Sequence, residues 1–251
     1  MAFQGSQPER SNWMSFSDVM TGLMVIFMFI AISYIIEVKD REEEVNQIVE
    51  EYAETQSQIY EDLDSTFSGR FEEYDLRINP DLSIQIIDSN ALFPVQEWNR
   101  PVKLTPKFRT FLAEFTPLFY KIILNEKYKS AIAEIRIEGH TSIHPNELED
   151  NDEYYSKMLV LSQKRSNKVL ENMLKHKFYT SLSDSNKKTL RFITTSNGLA
   201  YGKSLDSNGE FKHLTGRPID RKMSKRVEFR IVTNKQKILD EWLNKIKQNA
   251  I

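Results

Sequence analysis

One membrane-spanning helix followed by a mixed α/β domain is the architecture this sequence predicts, and three observations carry it. An uncharged apolar run fills residues 19–36, and an acidic stretch with apolar residues at seven-residue intervals occupies 37–64. Beyond it, four short segments alternate apolar and polar residues, with helical patterns between them. The chain has 251 residues and no cysteine, which excludes a disulfide framework, Cys-ligated zinc and thiol chemistry. Its 40% hydrophobic and 28% charged content is that of a folded chain.

Residues 1–12 read as a short tail and 13–36 as the span. Val19 to Ile36 is eighteen residues without a formal charge, close to the roughly 20 that a hydrocarbon core requires. A cleaved signal peptide has a shorter apolar core, a basic leader and a small-x-small cleavage site. Here Arg10 is the one basic residue upstream and Glu37 follows directly, so the helix is expected to be retained. Asp18 sits at the head of the run and has two readings. One is a first-turn acid at headgroup level, with Ser15 or Ser17 as the cap, where a charge costs little. The other is a carboxylate inside a protein-lined cavity, anchored by Trp13 and Phe16 at the interface, that takes up and releases ions.

Glu37 to Asp64 holds eleven acids and two bases, and neither Gly nor Pro interrupts it. Val45, Tyr52 and Ile59 recur every seven residues, with Val49 and Leu63 near the alternate positions. A solvated helix or a paired, dimeric one both fit, and Gly69 is expected to end the neck that spans 37–69. The first 36 residues carry a net charge of −1 and the neck −9, so a total of −2 leaves +8 on residues 65–251. That surplus favours an anionic partner such as the cell wall or lipid headgroups; no nucleic-acid module is present, and no direct nucleic-acid binding is expected.

The alternating segments are 82–87, 133–138, 190–195 and 226–232. Between them, Pro106 to Leu124 and Tyr154 to Lys175 have helical periodicity, and a last helix is expected near 235–248. The order β-α-β-α-β-β predicts a mixed sheet with helices on one face, within a domain spanning 70–251. His140 and His144 are four apart, but Pro145 and the strand before them place them in a loop, so no metal site, catalytic constellation or cofactor is expected, and the chain reads as a non-enzyme.

Two parts of the chain resemble known families. Trp13 with Ser17-Asp18-Val19-Met20-Thr21-Gly22 and the apolar helix that follows resembles the single span of MotB-type stator subunits of proton-driven rotary motors. The resemblance implies an ion-carrying role for Asp18 and, more weakly, a place for Thr21 in the ion path. It also implies a homodimer, with the juxtamembrane helix as a plug, and a MotA/ZorA-like ring-forming membrane protein as partner. The chain would lie in the bacterial inner membrane as a single-pass protein, N-terminus cytoplasmic and C-terminal domain periplasmic. The short tail and the Ser-Asp-Val-Met-Thr-Gly-Leu-Met start are most similar to the stators of Zorya anti-phage defence systems. Flagellar stators are the next most similar, and a passive wall tether without ion conduction is the reading from another class.

Residues 80–233 resemble the OmpA-like peptidoglycan-binding domain, through Asn90 to Phe93, Ile135 to Thr141, Leu161 to Arg165 with Val169, and Ser224 to Phe229. The resemblance implies wall binding through Thr141, Ser142, Leu161 and Arg165, with His140 structural. The family's aspartate position holds Ser142, and Met158 replaces an asparagine. A serine offers a neutral hydroxyl where an acid would make a charge-assisted bond to a ligand ammonium. Glu147, Glu149, Asp150, Asp152 and Glu153 are the acids available to replace it, while a domain that has kept its fold and lost its ligand is the bland alternative.

Overall fold

The computed structural model describes residues 10–87, 92–94, 98–142 and 151–234. Helix α1 (Arg10–Phe67) runs without a break through the apolar run and the neck. It is the one helix among the described residues long and apolar enough to cross a membrane, and its apolar run, residues 19–36, is exposed throughout. A Gly69 φ of +73°, in the left-handed region that glycine tolerates, follows its end.

The chain divides into two compact units, residues 1–52 and 53–251, so the boundary falls inside α1. The last turns of the neck therefore supply core to the second unit. Ile59 and Leu63 of the seven-residue pattern, and Phe67 beyond it, are almost wholly buried there, whereas Val49 is exposed. Tyr128 Oη donates to Asp62 Oδ2 at 2.6 Å, fixing the polar side of the same helix.

The second unit carries a five-stranded mixed sheet of β1 (Leu76–Ile78), β2 (Ser83–Ile86), β3 (Ile132–Gly139), β4 (Thr194–Gly198) and β5 (Val227–Thr233), in the order β1-β2-β5-β3-β4. β3 and β4 are parallel and the other pairs antiparallel. Helix α2 (Pro106–Ile123) starts at Thr105, whose hydroxyl accepts from Phe108 N, and buries Phe108, Phe111, Phe115 and Phe119. Helix α3 (Asp152–Lys175) starts at Asn151, whose side chain accepts from Tyr154 N. α2 and α3 pack on each other and on one side of the sheet, where Phe115 lies 4.8 Å from Phe229 of β5.

The opposite sheet face is charged. Arg136 faces Arg230, and Glu138 faces Glu228, in register across β3 and β5. Acids from two strands and a turn compensate the arginines: Arg136 pairs with Glu134 at 2.8 Å and Arg230 with Glu228 and with Asp81 at 2.6 Å.

The predicted order β-α-β-α-β-β is present with added elements, among them the edge strand β1, which was not expected, and with one segment reassigned. Residues 190–193 are not strand but the end of helix α5 (Asp184–Ile193), which follows the short α4 (Lys177–Ser181). Leu190 and Ile193, three apart, share a helical face toward the core, while Phe192 is 76% exposed. The same apolar placement satisfies both periods over four residues, and the Ser183 side chain decides for helix by accepting from Asn186 N. Two further short helices, α6 (Lys212–Thr215) and α7 (Arg221–Ser224), precede β5. The helix expected near 235–248 lies outside the described residues.

Because Phe67 stacks on Phe115 at 4.9 Å, Phe67→Ala is expected to destabilise the second unit by about 3–5 kcal/mol. Chemical denaturation of the full chain followed at the tyrosines would measure it; an unchanged midpoint would place the α1 terminus outside the core.

Candidate functional site

The first unit places Asp18 on α1, exposed, one residue before the apolar run. Thr21 lies nearly one turn on, and its hydroxyl donates to the Ser17 carbonyl at 2.8 Å. That bond commits the Thr21 proton to its own helix and leaves the oxygen as an acceptor on the side of Asp18.

In the second unit, the end of β3 and the middle of α3 come together because two glycines allow it. A Cβ on Gly139 would stand 2.3 Å from the Ser162 carbonyl oxygen, and one on Gly198 would stand 2.4 Å from Gln163 N. No residue with a side chain fits either contact without moving α3. Polar links then lock the approach: Gly198 N donates to Gln163 Oε1 at 2.8 Å and Ala200 N to Ser162 Oγ at 3.0 Å. Thr141 N donates to the Ala200 carbonyl at 2.8 Å, so the segment after β4 bridges the segment after β3 to the helix.

Arg165 follows Ser162 by three residues. Its guanidinium carbon lies 5.1 Å over the Phe93 ring, and its Nε has no hydrogen-bond partner among the described residues. Burial pushes its pKa down to about 10, so it remains a cation at neutral pH. Thr141 and Ser142 are buried, and Thr141 Oγ1 has no hydrogen-bond partner among the described residues. A half-buried guanidinium with an unpartnered Nε–H, and an unpartnered hydroxyl on the segment that Ala200 ties to the same helix, are groups suited to a carboxylate ligand. Leu161 belongs to the main core and supports the helix from beneath. Phe93 is the site residue the sequence analysis did not single out; its aromatic type beside a half-buried arginine is visible only in three dimensions.

Of the acids available to replace the missing aspartate, Glu147, Glu149 and Asp150 lie outside the described residues, as does His144. Asp152 is exposed in the first turn of α3, and Glu153 is held by Lys157 at 2.5 Å. Met158 is half-buried against the core.

His140 is 2% exposed, and neither ring nitrogen has a hydrogen-bond partner among the described residues. Its Nε2 stands 3.6 Å from Glu138 Oε2 and 3.7 Å from Glu228 Oε2. The three donor atoms lie within 4.8 Å of one another, a spacing that a metal could draw together. Cations already occupy both carboxylates, however: Arg226 Nε is 3.1 Å from Glu228 and Lys203 Nζ 3.5 Å from Glu138. The cluster is therefore an ion-pair network with a neutral imidazole in it. Burial, and then the nearby Arg226 charge, push the His140 pKa down to about 4.

No protein-family model matches the chain. It is 33% identical to the Zorya protein ZorB of Escherichia coli over 227 residues, which cover 90% of this chain and 89% of that one. Among solved structures it is similar to the periplasmic domain of Helicobacter pylori MotB, at 14% identity over 70% of this chain and 98% of that one, with a TM-score of 0.42. It is also similar to the cell wall anchor of the type VI secretion system of Pseudomonas aeruginosa, at 13% identity over 68% and 96%, with a TM-score of 0.41.

His140 gives the second unit a pH dependence of definite sign. Between its usual pKa of 6.5 and the folded value of about 4, the unfolded chain binds a proton that the folded chain refuses. Stability is complete above that window and is lost as pH falls through it, by about 3 kcal/mol at most. Thermal melts from pH 7 to pH 4 are expected to show this slope, and His140→Gln to flatten it.

Proposed function

The chain belongs to the ZorB family of Zorya proteins, and on that footing we propose that it is the wall-anchored stator subunit of an ion-driven membrane motor acting in anti-phage defence. It sits in the inner membrane as a dimer, its N-terminus cytoplasmic and its C-terminal unit periplasmic. Its partner is a ring-forming membrane protein of the MotA/ZorA type.

The observation that carries this reading is Asp18, a lone carboxylate at the head of a fully exposed apolar helix, with the Thr21 oxygen one turn away. Inside a partner ring such a carboxylate alternates between protonated and charged forms. Each charge that crosses 100 mV delivers about 2.3 kcal/mol, and a succession of them biases rotation of the ring. Reaction torque must be held elsewhere, and the second unit supplies the hold by binding peptidoglycan. There Arg165 takes a carboxylate of the stem peptide through its fork of donors, with the Thr141 and Ser142 hydroxyls beside it. Ser142 makes the ammonium end of that ligand the weaker contact.

Two measurements test the two halves. Cells carrying the native locus with Asp18→Asn, at matched membrane abundance, are expected to lose protection in phage plating; full protection by that variant would remove Asp18 from the ion path. Arg165→Ala is expected to lower co-sedimentation of the full chain with purified sacculi about 10-fold or more, the scale of a lost charge-assisted contact. Undiminished sedimentation would remove Arg165 from the wall site.

A further inference from the structure

Four lysines of α3 fall on one helix face. Lys157, Lys164, Lys168 and Lys175 are spaced seven, four and seven apart on α3, which aligns them over about 27 Å. The segment leading to α2 lies along this face: Lys157 Nζ stands 5.7 Å over the Trp98 ring, and Lys164 Nζ donates to the Trp98 carbonyl at 2.9 Å. At its C-terminal end the face opens into a cleft of about 440 Å³. Lys168, Glu171, Asn172 and Lys175 of α3 line one wall, and Lys103, Leu104 and Arg109 line the other.

Charge in this cleft is unbalanced. Glu171 is its one carboxylate; it accepts from Lys168 at 2.7 Å and also from Lys175. Lys103 and Arg109 are exposed and form no ion pair among the described residues. Four cations against one acid leave +3 around a volume in the range of small-ligand sites. A single carboxylate would leave most of that charge facing itself, whereas a phosphate group brings up to two negative charges and several acceptor oxygens. The Arg109 fork can span two of those oxygens, the lysines act as point charges, and the Asn172 amide adds a neutral donor.

The geometry points to a phosphate-binding site between Lys103 and Arg109 on one wall and Lys168, Asn172 and Lys175 on the other, separate from the Arg165 pocket. Its phosphate comes either from a free phosphorylated molecule or from a lipid headgroup. The site does not depend on wall binding or on ion conduction, so it stands or falls by itself.

The test is titration calorimetry on the full chain in phosphatidylcholine nanodiscs at fixed ionic strength. One titrant is sodium pyrophosphate and the other is dihexanoyl phosphatidylglycerol below its micellar concentration. Saturable binding of either is expected, and the one that binds names the source. Arg109→Glu, at an exposed position, is expected to weaken it about 10-fold or more, and Lys103→Glu to act in the same direction. Lys188→Glu makes the same charge change on α5, away from the cleft, and is expected to leave affinity within about 2-fold. Absence of binding by both titrants would overturn the proposal. So would an equal loss in Lys188→Glu, which would reduce the effect to overall charge, or unchanged affinity in Arg109→Glu with an unchanged melting temperature.

Discussion

Phe115 is the contact on which the second unit turns. Its ring stacks on Phe67 of α1 at 4.9 Å, on Phe111 and Phe119 of its own helix at 5.1 Å each, and on Phe229 of β5 at 4.8 Å. Offset aromatic pairs at such separations add to the large apolar area each ring removes from water. One side chain thus joins the end of the neck helix, the α2 layer and a central strand of the sheet. The neck is for this reason not merely a spacer: its last turns fold as part of the second unit.

The sheet has two faces with different tasks. The apolar face holds α2 and α3, and Gly139 and Gly198 let α3 approach β3 and β4 closely enough for Ala200 to tie the segment after β3 to the helix that carries Arg165. The other face carries Asp81, Glu134, Arg136, Glu138, Glu228 and Arg230 as a compensated network. Burying Glu138 and Glu228 within it is tolerable because each has a cation as partner, and His140 stays neutral beside them. The Gly-His-Thr triplet at the end of β3 therefore does three things in succession: a close approach, a buried neutral ring, and a buried hydroxyl with no hydrogen-bond partner among the described residues.

Much of this was legible in the sequence. The apolar run, the acidic neck, the two long helices and three of the four alternating strands stand where their periodicities put them, because each has one strongly buried face. β4 was not legible: Thr194–Gly198 has no apolar alternation, and this edge strand is held by its pairing with β3 and by Gln163. The burial of Ile59 and Leu63 was hidden for another reason, since a seven-residue pattern looks the same whether its partner is a second helix or the chain's own domain. The lysine face of α3 is regular in sequence, but only the wall formed by Lys103 and Arg109 makes it a cleft. At the candidate pocket, Arg165 and Thr141 could be named from motif alone, whereas the Phe93 ring over the guanidinium and the unpartnered Nε required coordinates.

A stator needs one group that exchanges ions and one surface that stays still, and in the function proposed above the two units of this chain divide those tasks. The ion path is the more decisive half, because a wall-bound domain without it is a tether. The most direct measurement is ion flux through vesicles containing the chain together with its ring-forming partner, followed with an internal pH dye under an imposed potential. Flux that is present in the native chain, abolished in Asp18→Asn and partly kept in Asp18→Glu is the predicted result. Equal flux in the native chain and Asp18→Asn, or none from the native pair, would contradict the account.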